Sequence, residues 1–331
     1  MQIPRPSLAS EVDREFFARE LGSFLPERVF DAHAHLWQSE AVSWPVERFP
    51  PRVGLTEYRS LVADLHPRRR TAAYFLPGFS ADKKDRIASS NQWVAEQVAA
   101  APDCRGAFFV RPEDDPEWVR QEVRRLKLHG LKCYHTMAAR TPTWEAEIPD
   151  YLPERLIQVA DEEGWCITLH LVRARAVADP SNLSWIQRYC QHYPRMKLIL
   201  AHSARGFQPA HNLEGLGALR GLENLYFDTS ANCEPIAHQA ILRIVGHQRL
   251  LYGSDLPVGL LRGRSVAAAD SFLWLDEDTP VWGEKHAEIK PVLIGLENLR
   301  SLKWACWSER LSDAAVEDIF WHNAARLFAL G

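Results

Sequence analysis

Paired cysteines are the first feature that this sequence lacks. Its 331 residues contain six cysteines, but these are scattered, with no CxxC pair and no dense framework. A small disulfide-stapled domain is therefore excluded, and a chain of this length needs no staples to stabilise its core. We interpret all six cysteines as reduced and structural, which predicts a cytoplasmic protein.

Excess positive charge and long apolar runs are also missing. The formal net charge is −4, so nothing in the charge balance favours binding to nucleic acid or to an anionic membrane. No segment reaches the ~18 apolar residues of a membrane span, and residues 1–17 lack the apolar run of a signal peptide. We expect no nucleic-acid partner and no membrane partner, whereas homo-oligomerisation stays open.

Short apolar runs rich in β-formers alternate eight times with longer, charged segments of helical period. The predicted strands cover residues 27–33, 71–77, 105–112, 129–135, 164–170, 196–202, 224–230 and 249–255. Such alternation implies a parallel sheet, and eight units favour an α/β fold of the closed (β/α)₈ TIM-barrel type over an open doubly wound sheet. No GxGxxG loop follows the first strand, which argues against a dinucleotide-binding fold.

The rest of the chain fits one domain over residues 1–331, without repeats or low-complexity linkers. Within an N-terminal extension, 1–26, residues 11–22 predict a short helix that would cover the bottom of the barrel. A long connection follows the eighth strand at 256–310. Its length permits a lid over the site, and its acidic stretch 274–280 (WLDEDTP) predicts a solvated loop. Residues 312–330 predict a C-terminal helix capped by Ser312.

Polar residues at the carboxyl ends of the predicted strands carry the chemistry, because barrel active sites are built there. His33 and His35 end the first strand, and residues two apart in a strand point the same way. His170, His202 and Asp255 end the fifth, sixth and eighth strands. Each follows an apolar run, where such a group is costly to bury unless it is paired or bound to metal. Three or four imidazoles with a carboxylate suit Zn²⁺ or another divalent transition ion.

Several motifs resemble those of the amidohydrolase-related family of metal-dependent barrel enzymes. They are DAHAHLW (31–37), the histidines of ITLH and LILAH, FDTSA (227–231), LYGSDLP (251–257) and HNAARLF (322–328). They occur in family order from about residue 28 to 329, and the HxH and GSDxP motifs together are the most specific part. The family contains hydrolases and also decarboxylases on the same metal site, so the resemblance implies the scaffold better than the reaction.

The resemblance also implies roles for individual residues. His33, His35, His170 and Asp255 would bind one divalent metal ion per chain, with Zn²⁺ as the first choice. Asp255 would also act as a general base, and His202 would be the acid/base or substrate-polarising group. Binuclear relatives carry a carboxylated lysine on the fourth strand. Lys132 holds that place here, and we favour a mononuclear site.

Other residues near the strand ends are candidates for substrate binding. Arginines crowd the loops after the ligand strands: Arg111, Arg173, Arg175, Arg205, Arg262 and Arg264. Because arginine pairs with carboxylates in a bidentate way, they indicate a small anionic substrate, although most arginines pair with nearby acids. We predict substrate contacts from Arg173, Arg205, Lys132 and Tyr134, and a pocket wall formed by Trp37.

The first hypothesis for function is a metal-dependent hydrolase that acts on a lactone, ester or amide-like bond of a small carboxylate-bearing molecule. The second is a metal-dependent decarboxylase of an unsaturated or aromatic acid. A barrel that only binds a ligand is a third alternative, against which the intact ligand set argues. A metal-dependent DNase is a fourth, which the acidic charge balance disfavours.

Overall fold

Eight parallel strands, paired in sequence order, form the centre of the protein in this computed structural model, which describes residues 7–43, 49–279 and 290–330. The strands are β1 (Arg28–Leu36), β2 (Arg70–Pro77), β3 (Arg105–Phe109), β4 (Gly130–Cys133), β5 (Cys166–Leu169), β6 (Lys197–Leu200), β7 (Leu225–Asp228) and β8 (Leu250–Leu251). Each overlaps a predicted strand. The predicted (β/α)₈ barrel is therefore confirmed.

Backbone hydrogen bonds between the first and eighth strands close the ring. Ala32 N donates to the Tyr252 carbonyl at 2.8 Å, Asp255 N donates to the His33 carbonyl at 2.8 Å, and His35 N donates to the Leu256 carbonyl at 3.0 Å. These bonds continue beyond the short β8, so residues 252–256 follow β1 towards its carboxyl end.

Helices alternate with the strands. They are α1 (Glu11–Phe16), α2 (Leu55–Val62), α3 (Ile87–Ala99), α4 (Pro116–Leu126), α5 (Ile148–Tyr151), α6 (Glu154–Glu163), α7 (Pro180–His192), α8 (Ala201–Arg205), α9 (Pro209–Gly215), α10 (Pro235–Ile244), α11 (Ile294–Ser308), α12 (Asp313–Glu317) and α13 (Asn323–Leu327). The carboxylates of Asp115 and Asp179 cap α4 and α7, each followed by proline at the first helical position. Ser312 caps α12, as predicted.

One contiguous apolar cluster fills the barrel and the layer between strands and helices. All six cysteines are buried and free, in agreement with their expected structural role. No helix in the described ranges combines the length and apolarity needed to cross a bilayer.

The N-terminal helix packs differently from the prediction. The helix expected at 11–22 forms as α1 with a π-helical turn, Phe17–Leu21. It contacts α11 and the long connection after β8, and it does not lie under the barrel. Asp13 accepts hydrogen bonds from Arg262 and from Leu293 N. The prediction that this helix covers the bottom is wrong.

The C-terminal helices close the amino-terminal end of the barrel instead. Phe328 stacks on Phe30 of β1, with ring centroids 5.4 Å apart, and lies 4.6 Å from the ring of Tyr74 of β2. Its carbonyl accepts a hydrogen bond from Arg105, the first residue of β3. The Asn323 amide donates to the carbonyls of His247, ahead of β8, and of Leu250, its first residue. Phe328, directly after the last helix, therefore closes this end of the barrel with its aromatic ring and its backbone carbonyl.

A β-hairpin occupies part of the long connection after β8. Antiparallel strands β9 (Gly263–Ala268) and β10 (Ser271–Asp276) pair along their whole length. The acidic stretch 274–280 is therefore not simply a solvated loop, because its first three residues belong to β10. Residues 280–289 of the connection lie outside the described residues.

Candidate active site

The histidines of β1 lie at its carboxyl end beside an irregularity in pairing. Asp31 is opposite Ala73 of β2, but Ala34 is opposite Phe75, so three steps along β1 match two along β2. Such a bulge bends a strand and re-aims its side chains. His33 and His35 have ring centroids 5.3 Å apart and both line one cavity.

Asp255 is the point on which the other groups converge. Its Oδ1 lies 3.5 Å from His33 Nε2 and 3.7 Å from His35 Nε2, and its Oδ2 lies 3.9 Å from His202 Nδ1. His33, His202 and Asp255 offer ligand atoms that all lie within 4.8 Å of one another. The His170 ring is 4.9 Å from that of His202. Residues from four strand ends are therefore brought together.

These groups line a cavity of about 690 Å³ at the carboxyl end of the barrel. Aromatic side chains form much of its wall: Phe79, Phe109, Tyr134, Trp144, Phe207, Phe272 and Trp274. Phe272 of β10 stacks on Phe207 with ring centroids 4.6 Å apart. Residues of the hairpin thus line the cavity, and a role of this connection as a lid stays a prediction. A second cavity, of about 550 Å³, lies at the opposite end, and none of the predicted ligands lines it.

A buried carboxylate that the sequence reasoning missed orients two of the histidines. Asp228, at the end of β7, is fully buried. Its Oδ2 lies 2.9 Å from His33 Nδ1, and its Oδ1 accepts from His202 N at 3.0 Å and from Ser230 Oγ at 2.5 Å. Because a carboxylate only accepts, His33 Nδ1 carries the hydrogen and Nε2 turns its lone pair towards Asp255.

Ser230 fixes the tautomer of His202 in a similar way. Its backbone carbonyl lies 2.9 Å from His202 Nδ1, so Nδ1–H donates and Nε2 is left with a lone pair. The motif FDTSA places both Asp228 and Ser230 at the end of β7. The strand-end position that singled out the other residues would also have found Asp228.

Burial sets the ionisation of these groups. Desolvation lowers the pKa of His33, His35 and His170 well below the usual value and also lowers that of His202, so all four are neutral at neutral pH. Desolvation, helped by the nearby negative charge of Asp228, raises the pKa of Asp255 to about 7. Neutral imidazoles are the form that binds metal.

The donor set fits a divalent transition ion. Ligands held about 2.0–2.2 Å from one ion lie roughly 3–4 Å from each other, which matches the separations around Asp255. A buried imidazole nitrogen without a hydrogen-bond partner is a further feature that a bound ion would explain. His170 Nδ1 is buried and has no hydrogen bond within the described part of the chain. A His–His–Asp group of the kind that holds a divalent ion is therefore present, and it consists of His33, His202 and Asp255. The predicted ligands His33 and Asp255 belong to this group, together with His202, which was predicted as the acid/base group.

His202 begins a left-handed turn, which makes α8 a distorted element. His202, Ser203, Ala204 and Arg205 have φ values of 56°, 53°, 59° and 56°. For residues other than glycine this region costs roughly 1–2 kcal/mol each. The surroundings must therefore hold the turn, a pattern that is typical of functional sites.

Lys132 and Tyr134 both line the cavity, as expected from their shared strand face. Lys132 is buried, and desolvation lowers its pKa. Its Nζ lies 5.9 Å from the centre of the Tyr134 ring. The preference for a mononuclear site over one bridged by a carboxylated Lys132 stays a prediction.

The predicted arginines separate into two groups. Arg173 pairs with Asp179 at 2.9 Å and donates to the Glu145 carbonyl, and it does not line the cavity. Nearby acids also bind Arg111, Arg175, Arg262 and Arg264.

Arg205 is different. It lines the cavity, as Arg262 also does, but unlike Arg262 it pairs with no carboxylate of the described residues. Its guanidinium lies 5.7 Å from the Phe272 ring and donates to the Arg173 carbonyl.

Trp37 lies outside the cavity, contrary to its predicted place in the wall. It is 1% exposed, packs on Phe49 and donates from Nε1 to the Pro50 carbonyl. The reason is local. β1 ends at Leu36, and Trp37 pairs with Val53 in an antiparallel bridge that turns its ring into the core.

Active sites of TIM-barrel enzymes lie at the carboxyl ends of the strands, where this barrel carries its histidines and Asp255. The fold and the site therefore indicate a TIM-barrel enzyme with a metal site. The family model described as amidohydrolase matches residues 30–330, and the chain belongs to that family. It is therefore an enzyme of the amidohydrolase superfamily. No curated protein sequence matches this chain.

Solved structures share the fold over almost the whole chain. A probable 2-pyrone-4,6-dicarboxylic acid hydrolase from Acinetobacter baumannii is 15% identical, with a TM-score of 0.55, over 91% of this chain and 99% of its own. An amidohydrolase from Burkholderia multivorans with bound zinc is 17% identical, with a TM-score of 0.55, over 92% and 99%. A dihydroxybenzoic acid decarboxylase from Polaromonas sp. JS666 with bound manganese is 17% identical, with a TM-score of 0.54, over 92% and 98%.

Proposed function

We propose that this protein is a metal-dependent hydrolase that acts on a lactone, ester or amide-like bond of a small carboxylate-bearing molecule. The observation that carries the proposal is the convergence of histidine nitrogens on Asp255, at one side of a cavity that also contains Arg205. The histidines and Asp255 are suited to activating a water molecule through a bound ion, and Arg205 is suited to binding the carboxylate of a substrate.

His33, His35, His170 and Asp255 would hold one divalent ion, with Zn²⁺ as the first choice. Support comes from the neutral imidazoles and from the zinc in the similar Burkholderia amidohydrolase. When bound, the ion supplies a water of lowered pKa and a positive charge that polarises a carbonyl.

The chain's own residues divide the proton transfers. Asp255 accepts the proton of the attacking water. His202 donates its Nδ1–H to the Ser230 carbonyl, so its Nε2 lone pair can receive the proton that Asp255 took from the water and pass it to the leaving group. Arg205 binds the substrate carboxylate, and Lys132 and Tyr134 contact the substrate beside it.

Elemental analysis of the purified protein, with His33→Ala and His192→Ala compared, tests the metal site. We expect about one zinc per chain in the wild type and in His192→Ala, because His192 is exposed and lies at the end of α7. We expect a large loss in His33→Ala. A barrel that only binds ligands would show no metal and would bind the same ligands after His33→Ala.

A decarboxylase of an unsaturated or aromatic acid is the second candidate, favoured by the aromatic wall of the cavity, which suits a flat conjugated substrate. CO₂ release from candidate aromatic acids distinguishes the two reactions, because hydrolysis of a lactone or ester releases none.

A further inference from the structure

The left-handed turn from His202 to Arg205 carries two groups of the candidate site, one at each end. His202 and Arg205 line the cavity, whereas Ser203 and Ala204 between them are fully buried. None of the four is glycine, so the backbone does not prefer this conformation. What holds the turn therefore decides where both cavity groups lie.

A buried serine–histidine pair lies directly behind the turn. Ser203 Oγ is 2.8 Å from His238 Nδ1, and His238 Nε2 lies 2.9 Å from Ser301 Oγ and 3.2 Å from the Asn232 carbonyl oxygen. Ser203 and His238 are both 0% exposed, so neither can reach a substrate.

The partners of His238 define its tautomer. Because a carbonyl only accepts, Nε2 carries the hydrogen, and Nδ1 accepts from the Ser203 hydroxyl. Burial lowers the pKa of His238 to about 4, so this neutral form persists at neutral pH. His238 thereby connects the turn to α10, where it resides, and to Ser301 of α11.

Two asparagine amides hold the backbone of the same turn. Asn232 Nδ2 donates to the His202 carbonyl at 3.1 Å, and Asn212 Nδ2 donates to the Ser203 carbonyl at 2.8 Å. Hydrogen bonds from three elements therefore hold His202 and Ser203 in the turn. Their donors and acceptors are Asn212 of α9, His238 of α10 and Asn232 after β7.

We infer that Ser203, His238 and Asn232 are positioning residues, which hold the left-handed turn and so place His202 and Arg205 at the cavity. The chemical role of His202 rests on the proposed function, but the placement of its ring does not.

Three variants separate the proposed contact from general packing. Ser203→Ala removes the hydroxyl group. His238→Gln can retain a donor near the Nε2 position but loses the Nδ1 acceptor, whereas His238→Asn retains an acceptor near the Nδ1 position. The contact predicts that Ser203→Ala and His238→Gln behave alike and that His238→Asn is closer to the wild type. Ser90→Ala is the matched control, because Ser90 is buried and its hydroxyl has no described partner.

The first readout is the side-chain ¹H–¹⁵N spectrum of the histidines in metal-free protein, with His202 assigned from a His202→Gln variant. We expect Ser203→Ala and His238→Gln to shift the His202 nitrogens and to leave those of His66, remote from the turn, unchanged. The second readout is the affinity for benzoate, a carboxylate of the kind that Arg205 would bind, in calorimetric titrations, and we expect it to weaken about tenfold. Ser90→Ala should change neither.

The inference is overturned if Ser203→Ala and His238→Gln lower the melting temperature but leave the His202 signals and the benzoate affinity at wild-type values. It is also overturned if His238→Asn is as damaging as His238→Gln. If the wild type itself binds no Zn²⁺, the proposed function fails, and the histidine spectra still decide the positioning role.

Discussion

Replacing Asp228 with asparagine should reverse the tautomer of His33 without removing the fold. The carboxylate accepts three other hydrogen bonds on Oδ1, from His202 N, Ser230 N and Ser230 Oγ. The asparagine oxygen will therefore stay on that side, and its NH₂ group will face His33 Nδ1. Nδ1 must then accept, which moves the imidazole hydrogen to Nε2, the atom 3.5 Å from Asp255.

A hydrogen on Nε2 blocks the lone pair that would bind the ion. Loss of such an orienting partner typically weakens metal affinity 10–100-fold, or by about 1.4–2.7 kcal/mol. Chelator competition with Zn²⁺ measures this directly in wild type and Asp228→Asn. Asp114→Asn is the control, since Asp114 is also buried but binds Arg111 instead. Wild-type affinity in Asp228→Asn would refute the tautomer argument.

Three further predictions concern stability and substrate binding. In metal-free protein, Asp255 has a pKa of about 7 against 3.8 for an exposed aspartate, so the folded state holds a proton that the unfolded state releases. The free energy of unfolding therefore falls as pH rises from about 4 to 7. In urea unfolding of metal-free protein, Asp255→Asn should raise this free energy by a few kcal/mol at pH 8 and by less at pH 5. Equal effects at both pH values would contradict the raised pKa of Asp255. Arg205→Gln should weaken binding of a carboxylate such as benzoate about tenfold or more in calorimetric titrations, whereas Arg175→Gln should not; similar losses in both would contradict a specific contact. Phe328→Ala should cost about 3–5 kcal/mol of unfolding free energy because it empties the space over the bottom of the barrel; a change below 1 kcal/mol would show that the helix does not seal it.

The sequence predicted the strand order and the strand-end residues because both depend on local patterns. Apolar runs identify buried parallel strands, and a barrel brings their carboxyl ends to one place wherever they lie in the chain. The bulge between Asp31 and Ala34 has no such local signal, since it depends on how β1 meets β2.

Side chains just beyond the strands were predicted less well, because tertiary pairing decides their direction. Trp37 follows the alternation of His33 and His35, yet its bridge to Val53 turns it away from the cavity. Arg173 and Arg205 occupy equivalent sequence positions, three residues after a histidine. Only the fold shows that Asp179 already binds Arg173.

The candidate site straddles the seam at which the first and eighth strands meet. Asp31 and Ser254, 223 residues apart, join across this seam through a backbone and a hydroxyl hydrogen bond. His33 and His35 belong to one side and Asp255 to the other. A bound ion would therefore connect the first and eighth strands, so that part of its binding free energy would also stabilise the barrel against opening at this junction. Loss of the ion would then weaken both the catalytic site and the closure of the barrel.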